Sequence, residues 1–397
     1  MQFGFDLTIG ESTFCDMMND LINIRRRLHQ HPELSNHEEK TAKLVFELLE
    51  KLCPDDLFSQ IAGHGILAVF DSKKPGPSIM FRAELDALPI QEKNSHDYVS
   101  KVDFVSHVCG HDGHMSILLG LAQHLQDRNS FCGKVLLLFQ PAEEMSQGAE
   151  RVVADRIFKE HVPDYLFALH NIPKYPLGSI LIKDDVFALS SVGLIVKLHG
   201  VSSHAGKPED GNNPVFCMIK ILESLAQLSA SMKSDLHRSF ITIIHARLGE
   251  VAFGTNPGEA EIMATFRSSK DSVMTTMKKT AEDFVKKHSK DFALSYDLEW
   301  VEYFPATVNS SACVELLRKV SNKQKRRIIE LTEAFAWSED FSYYGPHCKC
   351  GYFGVGSGVD SAQLHNPDFD FPEELLPVGI EMFVGLIEEI CLLEEEK

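Results

Sequence analysis

Lys134-Val-Leu-Leu-Leu-Phe-Gln-Pro-Ala-Glu-Glu144 is the stretch on which the fold turns. Its apolar run, Val135–Phe139, is unbroken and short. That character fits a strand buried on both faces, as in a sheet covered by helices. Two carboxylates follow directly. In open α/β sheets, sites are built at the carboxyl ends of strands. Paired acids there are costly unless something compensates their charge. Two readings stand for Glu143 and Glu144. They form a site, with one carboxylate on a metal and the other facing substrate, or they are first-turn acids of a helix, favoured by its macrodipole.

Similar apolar runs lie upstream, at Ile66–Phe70 and Ser78–Phe81. Helical periodicity marks a first helix through Met17, Met18, Leu21, Ile22 and Ile24, capped by Ser12 or Thr13 and broken at Pro32. A second helix is expected over about 38–52 and a third over about 115–125. This alternation predicts an α/β fold: a mixed-sheet domain covered by helices. The pattern changes near residue 187. Val192–His199 alternates like a half-exposed strand. Further strands are expected at Phe240–Ile244, Ala260–Phe266 and Ala293–Val301, with helices over about 214–231 and 271–288. That is a small α+β sandwich with one sheet face exposed. The expected division is a discontinuous domain, 1–187 and 304–397, with a smaller domain inserted at 188–303.

The chain has 397 residues, 44% of them hydrophobic and 24% charged, which is globular composition. Lys and Arg number 39 against 57 Asp and Glu, a net charge of −18. That argues against an electrostatic grip on nucleic acid or on an anionic membrane. No apolar run approaches the ~18 residues of a bilayer span, and the N-terminus lacks the pattern of a secretory signal. Nine irregularly spaced cysteines suggest free thiols in a reducing cytoplasm. Cys348-Lys-Cys350 lacks a second pair, and two loop cysteines are the expectation.

His107-Val-Cys-Gly-His-Asp-Gly-His114 is the densest chemical cluster. Thiolate and imidazole two positions apart are good ligands for borderline-soft divalent ions. The competing reading is a polar loop with buried, satisfied histidines. Ala168-Leu-His-Asn171 and Leu364-His-Asn-Pro367 each place a histidine after an apolar residue, as further candidates for one site. His204 lies in a small-residue loop and is either an oxyanion donor on a lid or an exposed loop histidine.

Taken together, these segments resemble the M20 family of metallopeptidases, and within it the amidohydrolase branch. The matching stretches run in order: Arg26–Leu34, Phe81–Pro89, His107–His114, Phe139–Glu144, Ala168–Asn171, Ser202–Ala205, Ser338–Phe341 and Leu364–Phe371. The resemblance implies a cofactor of two divalent metal ions, drawn from Zn, Mn, Co and Ni. By that resemblance Cys109 bridges the two metals. His111 and His170 complete one, and Glu144 and His365 the other. Glu143 is the implied general base, Asp86 orients ligands, and His204 is the implied lid histidine. The implied reaction is hydrolysis of the amide of an N-acyl amino acid or a related small amide by an activated water. The inserted domain is the implied lid and dimerisation domain, which allows a homodimer.

The sequence departs from the family pattern in two places. Glu84 stands in the first acidic position of Arg-Ala-Glu-Leu-Asp86, where an aspartate is usual. The lid segment Gly249–Pro257 displaces the usual asparagine. Arg267, in Thr-Phe-Arg, matches an arginine ending a lid strand; it holds a substrate carboxylate or is a surface residue. A dipeptidase or carboxypeptidase of the same fold remains an alternative. So do a non-catalytic binding protein on this scaffold and an enzyme using Cys109 as nucleophile.

Overall fold

The computed structural model describes residues 14–232, 234 and 237–395. The cap proposed at Ser12 or Thr13 lies outside them. The chain divides into two compact units. One comprises the chain up to Asp185, Asn309–Leu331 and Tyr344 onward; the other comprises Val186–Val308 and Thr332–Tyr343.

The first unit is built on an eight-stranded sheet. Its strands run in the order Asp56–Ile61, Gly65–Asp71, Lys134–Gln140, Ser78–Glu84, Tyr165–Ile172, Lys349–Gly356, Ile180–Ile182 and Ile328–Glu330. The four strands 134–140, 78–84, 165–172 and 349–356 pair in parallel, and antiparallel pairs flank them. Strand 134–140 is buried from Val135 to Gln140, because both of its faces are covered. On one face, Val135, Leu137 and Phe139 join a core with Leu21, Leu118, Leu317 and Phe383 from four helices. Those helices are Phe14–Gln30, His111–His124, Ser311–Lys323 and Leu375–Glu395.

Helix 111–124 begins four residues earlier than periodicity suggested, so His111 and Asp112 stand in its first turn. Gly110 makes this start possible. Its φ is +97°, and a Cβ there would lie 2.3 Å from Asn171 Oδ1, so only glycine fits.

The second unit is a four-stranded antiparallel sheet in the order Ser239–Leu248, Glu259–Ser268, Ser190–His199, Ser295–Phe304. Strand 259–268 buries alternate residues. Ile262, Ala264 and Phe266 pack with Ile221 and Leu225 of helix Val215–Ser231 and with Met277 and Val285 of helix Asp271–Asp291. Edge strand 239–248 is exposed from Thr242 to Arg247. Residues 332–343 join this unit, although they lie inside the 304–397 range assigned by sequence to the discontinuous domain. Leu189 N donates to Phe335 O and Trp337 O, both at 3.1 Å. Phe335 and Trp337 pack their rings against Phe187. The chain therefore passes between the units four times, where a single insertion requires two.

The eight cysteines whose side chains are described are free. Cys350 is buried within strand 349–356 and is not a loop residue, with its Sγ 3.7 Å from Cys348 Sγ. No helix among the described residues is long and apolar enough to cross a membrane.

Candidate metal centre

The ends of the parallel strands bring the predicted donors together. Cys109, His111 and His170 place one donor atom each within 4.8 Å of one another. Cys109, Glu144 and His365 form a second such group, and His111, Glu143 and Glu144 a third. Cys109 is common to the first two groups. Its Sγ is 3.4 Å from His170 Nε2. Glu144 Oε1 lies 3.9 Å from His111 Nε2 and 3.7 Å from His365 Nε2.

Each buried imidazole is fixed by its other nitrogen. His111 Nδ1 donates to Asp86 O at 2.9 Å, and His170 Nδ1 donates to Asn171 O at 2.9 Å. Both Nε2 atoms are thereby turned into the cluster, the arrangement expected of histidines that ligate a metal. His111 Nε2 is buried and has no hydrogen-bond partner. Burial opposes its charged form, but the Asp86, Glu84 and Glu144 carboxylates outweigh this and raise its pKa to about 10. Burial, reinforced by His114, holds His170 well below its usual range and therefore neutral. Burial and then Glu144, Glu143 and Glu84 push the Cys109 thiol well above its usual range. A thiol so placed becomes a thiolate only beside added positive charge. Thiol, imidazole and carboxylate donors thus fit divalent cations, whose binding would displace the proton the carboxylates hold on His111, and they fit a cysteine nucleophile poorly.

The turn after strand 134–140 is not a helix start. Ser146 N donates to Glu143 O, and Gly148 N to Ala142 O. Ala142 and Ser146 have positive φ, and helix Gly148–Ala154 begins only afterwards. A Cβ on Gly148 would stand 1.7 Å from Pro141 O. The turn lets two adjacent carboxylates sit in the same cluster as His111.

Asp86 takes a supporting place. Its Oδ2 accepts from Ser35 Oγ at 2.7 Å and from Glu144 N at 3.0 Å. Glu84, longer than the family's usual aspartate, reaches back to His114 Nδ1 at 2.7 Å and pairs with Arg82. His114 Nε2 lies 2.6 Å from Asn171 Oδ1. His114 is thus paired on both ring nitrogens beneath the cluster.

Sequence reasoning missed a clasp formed by residues 25–41. Arg25 and His29 hold the buried Asp112 carboxylate at 3.2 and 2.9 Å. Glu33 accepts from Lys40 N and Thr41 N at 2.8 Å, which starts helix Glu39–Lys51. Ala87 N donates to Glu33 O, and Glu38 Oε1 accepts from Ala142 N at 2.8 Å. One segment thereby holds the first turn of helix 111–124, the loop after Asp86 and the turn before Glu143. A signal was present: Leu21, Arg25, Leu28 and His29 share one helix face, so a cation interrupts an apolar stripe.

In the second unit, His204 lies exposed on the two-residue strand Ser203–His204, and its Nδ1 accepts from Gly206 N at 3.0 Å. Thr255 and Asn256 pair with that strand. Asn256 Nδ2 donates to Ser203 Oγ at 3.0 Å. Arg267 is half-buried, which lowers its pKa, and its Nη1 donates to Ala336 O and Ser338 Oγ. Arg267 is therefore engaged within its own unit and is not a bare surface residue.

Comparison with known proteins agrees with this geometry. The chain is 29% identical over 372 residues to the N-acetylcysteine deacetylase of Bacillus subtilis, covering 92% of this chain and 95% of the relative. It is 30% identical over 361 residues to an uncharacterized hydrolase of Staphylococcus epidermidis, covering 89% and 93%. Among solved structures it resembles the Bacillus subtilis YXEP protein, described as a dinuclear metal binding peptidase from the M20 family. That match has a TM-score of 0.81 and 26% identity over 96% of this chain and 99% of that one. Residues 80–389 match the family model described as Peptidase family M20/M25/M40. The chain is an enzyme of the amidohydrolase and peptidase type, and it belongs to peptidase family M20/M25/M40.

Proposed function

We propose that the protein hydrolyses the amide bond of N-acyl amino acids or closely related small amides, using two divalent metal ions. The convergence of Cys109, His111, Glu144, His170 and His365, with Glu143 beside His111 and Glu144, carries this reading. Cys109 would bridge the ions, with His111 and His170 on one and Glu144 and His365 on the other. Bound there, such ions lower the pKa of a water and polarise a carbonyl. Glu143 takes the proton of the attacking water and returns it to the departing amine. Its carboxylate lies within 4.8 Å of donor atoms of His111 and Glu144, close enough to serve both steps. Asp86 Oδ2 accepts from Glu144 N and its carbonyl accepts from His111 Nδ1, so it orients two ligands at once. His204 is the proposed donor to the oxyanion. Arg267, oriented by Ala336 and Ser338, is the proposed holder of a substrate carboxylate.

The relative named N-acetylcysteine deacetylase places N-acetylated amino acids first among substrates to try. The exposed edge strand 239–248, with Ile243 and Ile244 on its surface, supports a homodimer formed through the second unit. The deciding experiment offers N-acetyl and N-benzoyl amino acids and dipeptides with and without chelator, then restores Zn, Mn, Co or Ni singly. Metal-restored release of the free amino acid from acylated substrates is the expected result. Cleavage of dipeptides alone would replace this reading with a dipeptidase. Activity that survives chelation and is lost on thiol alkylation would overturn it.

A further inference from the structure

A second constellation of metal-type donors lies in the first unit, beside Asp112. His29 is fully buried, and its Nδ1 is 2.9 Å from Asp112 Oδ2. That carboxylate turns the His29 Nε2 outward, as acidic partners do for histidines that ligate metals. Nε2 lies 3.1 Å from Glu92 Oε1. From the other side, His96 Nε2 is 3.3 Å from the same Glu92 oxygen and 3.9 Å from Asp370 Oδ2. Donor atoms of His29, His96 and Asp370 lie within 4.8 Å of one another. Zinc–ligand bonds of about 2.0–2.1 Å in a tetrahedron set neighbouring ligand atoms about 3.3 Å apart. The observed spacings bracket that value.

Two further observations point to a cation. Neither ring nitrogen of His96 makes a hydrogen bond, although both atoms are buried and the ring stacks on Tyr98 with centroids 3.7 Å apart. The charges also fail to balance. Among the described residues, Asp112, Glu92, Asp370 and Glu373 face only Arg25 and Arg26 as guanidinium partners. Burial opposes the charged form of His29, but Asp112 and Glu92 outweigh it and raise its pKa to about 9; with His29 protonated the cluster is one positive charge short, which a divalent cation replacing that proton supplies. Its neighbours are already arranged around it. Tyr98 OH donates to Asp370 Oδ2 at 2.7 Å, and Asn94 Nδ2 to Glu92 Oε1 at 3.0 Å. Side chains of His96 and Asp370 are 20% and 26% exposed, which leaves a way in.

We propose that His29, Glu92, His96 and Asp370 form a third metal site, closed by four protein ligands and selective for a borderline divalent cation such as zinc or cobalt. It is independent of the dinuclear reading and shares no ligand with it. Binding there displaces the proton on His29 Nε2 to solvent. The ion ties helix 14–30, the 92–98 loop and residue 370 together behind the Cys109 loop, a structural role.

The test titrates the metal-free full chain with Co(II), following bound metal by equilibrium dialysis, d–d absorption and thermal melting. The expected result is one equivalent of cobalt that is absent from His96→Ala. That equivalent adds d–d absorption without new thiolate-to-cobalt charge transfer, and it raises the melting temperature of the wild type alone. Asp370→Asn should lose the same equivalent. A wild type that saturates at the stoichiometry of His96→Ala overturns the proposal. Absence of thiolate charge transfer at every stoichiometry would overturn the Cys109 bridge and leave the His96-dependent equivalent standing, so the two failures are distinguishable.

Discussion

The Cys109 loop and the edge of the second sheet show opposite designs. Around Cys109 the rings of His111 and His170 are each held by a further hydrogen bond, and Cys109, His111 and His170 are each at most 6% exposed. At the edge, strand 239–248 presents six consecutive exposed residues, and Val251 and Phe253 beyond it are fully exposed. The contrast teaches where each kind of function is stored. The first region is preorganised: its geometry is fixed before anything binds, which is what proton transfer and ligation require. The second leaves apolar side chains uncovered, the feature on which the proposed homodimer rests.

The largest effect should come from the carboxylate at the centre of the rigid region. Glu143→Gln should retain bound metal and lower kcat by about 10²–10⁴-fold, the range for loss of a general base. Turnover that persists would remove Glu143 from that role. Next, Cys109→Ala should reduce metal content at both sites of the pair, read by elemental analysis after dialysis; unchanged stoichiometry would end the bridging assignment. Third, Arg25→Met leaves Asp112 buried with less compensation. Breaking a buried pair costs about 3–5 kcal/mol, which urea unfolding would register as a lower midpoint. A neutral result would mean that the clasp is decoration.

The edge should respond differently. Phe253→Ser should leave stability within about 0.5 kcal/mol, as for other exposed sites, while Ile244→Lys on the edge strand shifts a dimer toward monomer in sedimentation. If both variants sediment as wild type, the exposed edge is not a subunit surface. The smallest effect belongs to His199, set between Glu259 at 2.6 Å and Asp297 at 3.0 Å. Those two hydrogen bonds raise its pKa above 6.5. Its contribution to stability is therefore present below pH 6.5 and fades as pH rises through the raised value. Being on the surface, it is also screened by salt. His199→Gln should unfold more easily than wild type in mild acid at low salt and match it in alkali.

The rigid region was the more legible of the two. An unbroken apolar run locates a doubly covered strand because burial on both faces allows nothing else, and Glu143 and Glu144 follow it directly in sequence. Cys109 and His111 are neighbours for the same reason. The clasp was harder to read, because it joins residues far apart in the chain: Arg25 to Asp112, Glu38 to Ala142, Ser35 to Asp86. Only the cation on the stripe of helix 14–30 betrayed it. Ser338–Phe341 stood out as a matching stretch, but the placement of residues 332–343 in the second unit escaped. They contain no strand or helix period, and Phe335 and Trp337 act through ring packing that leaves no pattern in sequence. Glu84 was flagged as a departure from the usual acid, but its reach to His114 depends on the depth at which strand 78–84 ends.

The four passages of the chain between units also set an order of assembly during synthesis. A ribosome that has released residues up to Val308 has made every strand of the second sheet. It has not yet made Phe335 or Trp337, the rings that pack on Phe187. The first unit waits longer still, since strand 349–356 fills the middle of its sheet and helix 375–395 covers one face. Neither unit is complete until the nascent chain is nearly finished. A product truncated before Phe335 therefore carries uncovered apolar surface from both units at once, and arrest there yields a client for chaperones and not a working half.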